Sequence, residues 1–295
     1  MFPGKLHTFV LSCLAGACLL SASGENARGA LEATSGLGRP LYALPDDVAI
    51  EKARANLAKD PKNVGLVLAL SKAQAGRRQY REAIETDTKG LAFAPNNADL
   101  YLERGHRELG LRRFHAGQID LQHAVSLDPK KLDSSYHLAM SHYFQGEFDE
   151  AAHYFHDALK LAQNNDSVID CSAWLYVSLR RAGKQEQAAM VLKKITPEVK
   201  NKEPHLYFYL RLLHFYQGSI TPQQVLPPKP SSPDDIEGEL SYDTVSYGVG
   251  NWYFYNHQPA EAVQLFKRVV AGEAWNAWGF IGSETDLVRM EKAHH

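Results

Sequence analysis

The sequence predicts an all-α protein, a right-handed solenoid of about five to six helix-turn-helix repeats with helical caps. Three observations carry this expectation. Pro61, Pro95 and Pro129 recur at a step of 34 residues, each closing a helical stretch in LAKDPKN, LAFAPNN and VSLDPKK. Small residues keep the same step at Ala83, Gly117 and Ala151. Large aromatic residues keep it at Tyr80, Phe114 and Phe148. A fixed period of this length marks stacked units that bury their apolar faces only against one another.

The segments follow in order. Lys5 and His7 precede an apolar run from Phe9 to Leu20, and the small residues Ser21 to Gly24 come next. A charged start, a short apolar stretch and small residues predict an export signal over 1–24, cut after Gly24. The run is shorter than the ~20 residues a bilayer span needs. Ala15-Gly16-Ala17-Cys18 offers a second reading, because it is similar to the lipobox of bacterial lipoproteins. Lipidation of Cys18 would tether the chain to a membrane. The expected location is therefore exported, periplasmic or secreted, with an envelope lipoprotein as the alternative. Residues 25–45 are rich in Gly and Ala and are expected to be flexible, and the solenoid is expected over 46–295.

Within it, DDVAIEKARANLAKD reads as a second helix without its partner. Three full repeats start at Val64, Ala98 and Leu132. Numbering each so that the closing proline is position 32 puts Ser71, Gly105 and Ala139 at position 8, where paired helices cross. Gly90, Ala124 and Ala158 stand at position 27. Small residues there let backbones approach. A fourth unit continues through Gly183 and Ala188, with three residues inserted in AQNNDS. A fifth helix, HLYFYLRLLHFYQG, is followed only by TPQQVL before Pro227-Pro228. The Pro/Ser-rich, acidic stretch 227–239 predicts an exposed loop. A sixth unit places Gly250, Tyr253, Ala262 and Phe266 in register, and a last helix over about Ser283–Lys292 is expected to cap the end.

Composition narrows the function classes. Lys plus Arg number 32 against 34 Asp plus Glu, a balance that gives no reason to expect nucleic acid. After removal of the signal Cys171 is the one cysteine left, so no internal disulfide is expected, and its apolar helix suits a buried thiol. Glu150, His153 and His156 are spaced by helical turns, which raises a metal site. In the repeat register His156 shares a column with Thr88, Gln122 and Lys193, a solvated face, so no metal is expected. No Gly-x-Ser-x-Gly, P-loop or Gly-x-Gly-x-x-Gly occurs. The repeats occupy nearly all of the chain after the signal, so no enzyme and no cofactor is expected.

These columns resemble the tetratricopeptide repeat family, the third repeat most closely. GHRELGLRRF, YHLAMSHYFQG and the stretch from Ser246 to Arg289 are similar to exported bacterial members, over about residues 60–290. The resemblance implies a concave groove lined by the first helix of each repeat, at positions 2, 5, 6, 9, 12 and 13. It places Lys72, Glu103, His106 and His137 in the N-terminal half of the groove, and Trp174, Tyr209, Tyr216, Tyr247, Asn251 and Tyr255 in the C-terminal half. Glu103 and Leu68 stand where members that clamp a carboxylate tail carry cationic or polar residues, which argues against that use. The aromatics suit a binding hot spot, with core filling as the alternative. The implied function is a scaffold or adaptor binding a protein or peptide partner. The alternative is an accessory carbohydrate-binding or envelope-assembly module using the groove aromatics.

Overall fold

The structure is a computed structural model that describes residues 29–202, 207–230, 232 and 235–293. The expected export signal over 1–24 and the lipidation expectation at Cys18 lie outside the described residues. Fourteen helices and one two-stranded sheet are present among the described residues. None of these helices is long and apolar enough to cross a membrane.

Helix α1 (Val48–Lys59) precedes the pairs α2 (Val64–Gly76) with α3 (Tyr80–Phe93), α4 (Ala98–Gly110) with α5 (Phe114–Leu127), and α6 (Leu132–Gln145) with α7 (Phe148–Leu161). The pairs continue with α8 (Asn165–Arg181) and α9 (Gln185–Leu192), then α10 (Tyr207–Tyr216) and the single turn α11 (Pro222–Val225). Helices α12 (Ile236–Tyr255), α13 (Pro259–Val270) and α14 (Trp278–Ala293) complete the chain. This is the predicted all-α solenoid.

The repeat signals act physically. Asn63 and Asn97, just past the closing prolines, accept from the amides of Leu66 at 3.2 Å and Leu100 at 3.0 Å, satisfying donors that a helix start leaves unpaired. At positions 8 and 20 of the second repeat, Gly105 and Gly117 face each other. A methyl group on Gly105 would lie 3.0 Å from the Gly117 carbonyl oxygen, and one on Gly117 2.8 Å from that of Gly105. Helices α4 and α5 therefore cross in backbone contact. Phe155 and Phe266, at position 24 of their repeats, are fully buried. Each such side chain contributes about 1.5–3 kcal/mol of apolar burial.

Three expectations are corrected. Residues 25–45 were expected to be flexible. Instead β1 (Leu31–Thr34) and β2 (Pro40–Tyr42) form an antiparallel hairpin. Its Leu41 is fully buried against Tyr80, Trp275 and Phe280. Trp275 Nε1 donates to the Tyr42 carbonyl at 3.0 Å, and the Gly36 amide donates to Glu284 at 2.8 Å. Gly/Ala-rich composition misses this because partners such as Trp275 and Glu284 lie more than 230 residues away.

The stretch 227–239 was expected to be a loop throughout, but α12 begins at Ile236. The Asp235 carboxylate accepts from the Gly238 amide at 2.9 Å, and Glu237 and Glu239 in the first turn suit the positive end of the helix dipole. The acidity read as solvation is helix-start chemistry. Helix α14 also begins earlier than the expected Ser283.

The array also touches itself beyond neighbouring repeats. Arg112, just after α4, pairs with Glu284 of α14 at 2.9 Å. Arg181, at the end of α8, pairs with Asp286 of α14 at 2.8 Å. Arg289 donates to the Phe144 carbonyl at 2.6 Å. Helix α14 thus runs across the C-terminal ends of α4, α6 and α8 and closes the curved array on one side.

Candidate functional site

Closure turns the groove into a cavity of about 1120 Å³. Every full first helix contributes to its wall: Lys72 from α2, His106 from α4, Tyr136 and His137 from α6, Asp170 from α8, Tyr207 from α10 and Ser241 from α12. Trp278, at the start of α14, closes it.

The floor is a cluster of rings. His106 and His137 lie with ring centroids 4.2 Å apart, and Trp278 is 5.0 Å from His106 and 5.9 Å from His137. Both histidines sit deep among protein atoms yet keep part of their surface open to the cavity. Burial holds the His106 imidazole well below its usual pKa, helped by His137 and the Arg107 charge. Burial likewise lowers His137, against the opposing pull of its bond to the Asp133 carbonyl. Both rings are therefore neutral near pH 7.

Around them the charges are paired. Glu103 holds Lys72 at 3.2 Å and also Arg107. The Tyr136 hydroxyl donates to the Asp170 carboxylate at 2.9 Å. Burial nonetheless pushes Asp170 up to about 7. The adjacent Cys171 thiol is fully buried and shifted strongly upward by burial and by Asp170, which suits packing rather than nucleophilic chemistry. At the mouth Asp133 and Glu237 stand with Lys202 and Arg211, so the rim carries both signs.

Of the predicted residues Lys72, His106 and His137 line this cavity, and Glu103 joins them through its pair with Lys72. The C-terminal set does not form an open groove wall. Trp174, Tyr216, Tyr247 and Asn251 are buried, which corrects their assignment to the groove surface. Trp174 lies 6.2 Å from Phe155 and 5.2 Å from Tyr143, ring to ring. Tyr216 stacks on Tyr176 at 4.5 Å. The Tyr247 hydroxyl donates to Asp286, and Asn251 accepts from Arg181 at 2.8 Å. The physical reason is the one-turn α11. With no full second helix in the fifth repeat, α12 settles on α8 and α10, and the aromatics fill the space between them. Tyr209 is also buried and accepts from Trp174 Nε1 at 3.0 Å, and it still borders the cavity. Tyr255 faces a different depression of about 650 Å³, where Arg180 lies 4.1 Å above its ring.

Tyr136, Asp170 and Trp278 were missed. Tyr136 and Asp170 fall at positions 5 and 2 of their repeats, so the register itself pointed to them. Trp278 lies outside the repeats and carries no periodic signal. His153 and His156 stand exposed on α7, with His153 3.5 Å from Asp157. Among the described residues no three or more His, Cys, Asp or Glu are placed to hold a metal.

The comparisons agree with the repeat. Residues 133–165 match the tetratricopeptide repeat family model. Small glutamine-rich tetratricopeptide repeat-containing protein 2 of Saccharomyces cerevisiae (strain ATCC 204508 / S288c) is 28% identical over 155 residues, 52% of this chain and 41% of that protein. TPR repeat-containing protein YpiA of Bacillus subtilis (strain 168) is 26% identical over 91 residues, 31% of this chain and 22% of that protein. The chain thus spans less than half the length of either relative. A crystal structure of MamA aligns with 51% of this chain and 94% of that one, at 21% identity and a TM-score of 0.45. The APC/C hetero-tetramer Cut9–Hcn1 aligns with 83% of this chain and 46% of that one, at 14% identity and a TM-score of 0.49. With its period of 34, its paired helices and the match at 133–165, the chain carries the tetratricopeptide repeat.

Proposed function

We propose that this chain is an exported protein-interaction scaffold whose cavity receives a peptide segment of a protein partner. The observation that carries the reading is the cavity of about 1120 Å³, walled by successive first helices and rimmed by both charge signs. Its size suits several side chains of a bound segment, and stacked helices offer such a surface without chemistry. The repeat class points the same way. The carbohydrate alternative needed exposed ring faces at Trp174, Tyr216 and Tyr247, and those rings are buried.

A fluorescence-polarisation panel of diverse peptides tests the reading. Ser167 lines the cavity, and its backbone amide alone meets the Asn164 cap, so its side chain is replaceable. Ser167→Trp is expected to weaken any peptide hit by about tenfold or more with unchanged circular dichroism. Hits that bind the variant equally, or a panel with no hit, count against the cavity.

Export rests on the signal-like N-terminus. Mass spectrometry of the mature chain is expected to find Glu25 first, or a lipidated Cys18 if the chain is tethered. Intact Met1 in a cytosolic fraction overturns export.

A further inference from the structure

We infer that the cavity floor is built to hold a primary carboxamide, the group at the end of an Asn or Gln side chain, between His106 and His137. This deepens the proposed scaffold function and rests on it.

The tautomers of the two rings are fixed by their neighbours. Arg107 Nη1 lies 2.8 Å from His106 Nδ1, and a guanidinium only donates. His106 Nδ1 therefore accepts, and its ring proton sits on Nε2. His137 Nδ1 lies 2.8 Å from the Asp133 carbonyl oxygen, which only accepts. His137 therefore carries its proton on Nδ1 and leaves Nε2 with a lone pair. Two neighbouring rings, 4.2 Å apart, thus offer one donor and one acceptor. Neither Nε2 has a hydrogen-bond partner among the described residues, and both side chains border the cavity.

The pairing selects a ligand by its chemistry. A carboxylate needs two donors, and ammonium or guanidinium groups need only acceptors. A trans backbone amide points its oxygen and its N–H to opposite sides. A primary carboxamide presents oxygen and N–H on one edge, about 2.2 Å apart, as its bond lengths require. The cations Arg107 and Lys72 are already engaged by Glu103. Trp278 supplies an apolar plane beside the pair. A ligand that covered this donor and acceptor without pairing them would be penalised.

The test uses the full chain labelled with ¹⁵N-histidine and follows the imidazole nitrogens by NMR. Acetamide, acetate and methylammonium serve as probes at matched concentration. The expected result is that acetamide shifts the Nε2 signals of His106 and His137, while acetate and methylammonium leave them in place. His137→Phe, which keeps an aromatic ring, is expected to bind acetamide about tenfold more weakly. Equal responses to acetate and acetamide, or tautomers opposite to those assigned, overturn the inference. A second arm compares free glutamine with a Gln-containing peptide bearing N-methylamide ends, and with its Gln→Glu version. Tighter binding of the Gln peptide than of free glutamine assigns the group to a polypeptide, and the reverse assigns it to the free amino acid. Peptides that occupy the cavity without preferring Gln over Glu sink the carboxamide inference and leave the scaffold reading standing. Acetamide binding with no peptide binding does the opposite.

Discussion

Asp87, Asp170 and Asp243 are aspartates placed where water is scarce, and each answers differently. Asp87 accepts from Ser71 at 2.8 Å across the α2–α3 seam and is pushed up to about 7 by burial. Asp170 has the Tyr136 hydroxyl and borders the cavity. Asp243 of α12 is fully buried, and among the described residues neither of its oxygens has a hydrogen-bond partner. Burial, with Glu239 one turn away, pushes Asp243 up to about 8. A carboxyl whose folded pKa exceeds its unfolded value favours folding below the unfolded value, near 3.8, and loses that contribution as pH rises to about 8. Asp243→Asn removes the titration while keeping the shape. Its melting temperature is expected to match the wild type at pH 4 and exceed it at pH 8, where the difference amounts to several kcal/mol. An equal or lower melting temperature at pH 8 refutes this account. At this scale the register put His106 and His137 on one face, and the structure brings their rings together, because position within a repeat fixes which side of a helix a residue occupies. It placed Trp174 and Tyr247 on the groove, because the same face becomes core once another helix covers it.

At the scale of the element, the turn between the two helices of each repeat needs a residue in the left-handed region. Gly146 at φ 85° and Gly183 at φ 74° take it without strain, whereas the same place in the first two repeats holds Arg78 at φ 57° and Arg112 at φ 64°. Arginine there costs roughly 1 kcal/mol or more. Both arginines reach the C-terminal region: Arg78 donates to the Glu273 carbonyl at 2.8 Å, and Arg112 pairs with Glu284 and donates to the Trp275 carbonyl at 2.9 Å. The backbone strain is offset by contacts that glycine has no side chain to make. The hairpin β1–β2 lies at the same junction, and its Leu41 completes a small second core with Trp275 and Phe280. Helix spacing was legible from prolines, small residues and caps because these act within a few residues. The hairpin was not, since a three-residue strand shows no periodicity of its own.

For the whole molecule, closure changes how the array holds together. An open solenoid is stabilised by nearest neighbours and frays from its ends. Here Asp286 accepts from Arg181, Arg289 and the Tyr247 hydroxyl, and only 1% of its side chain is exposed. Its pKa stays below the usual carboxylate range: burial opposes this, and the arginines outweigh it. Asp286→Ala leaves Arg181 buried without its partner, a loss of about 3–5 kcal/mol. Chemical denaturation is expected to show that loss, and hydrogen exchange is expected to quicken along both α14 and the ends of α6 and α8. A loss under about 1 kcal/mol, or faster exchange confined to α14, refutes the clasp.

The sequence by itself determined the helical repeat, its period, the residues at which helices cross and the face that each first helix presents inward. Those properties depend on spacing within one 34-residue unit, and spacing is written in the chain. Only the tertiary structure decided that the groove is closed into a cavity, that the C-terminal aromatics lie inside the core, and that Trp278 joins His106 and His137. These depend on contacts such as Gly36 with Glu284 and Arg112 with Glu284, between residues 248 and 172 positions apart. No local pattern records a contact of that range, because its favourable energy exists only after the intervening helices have stacked.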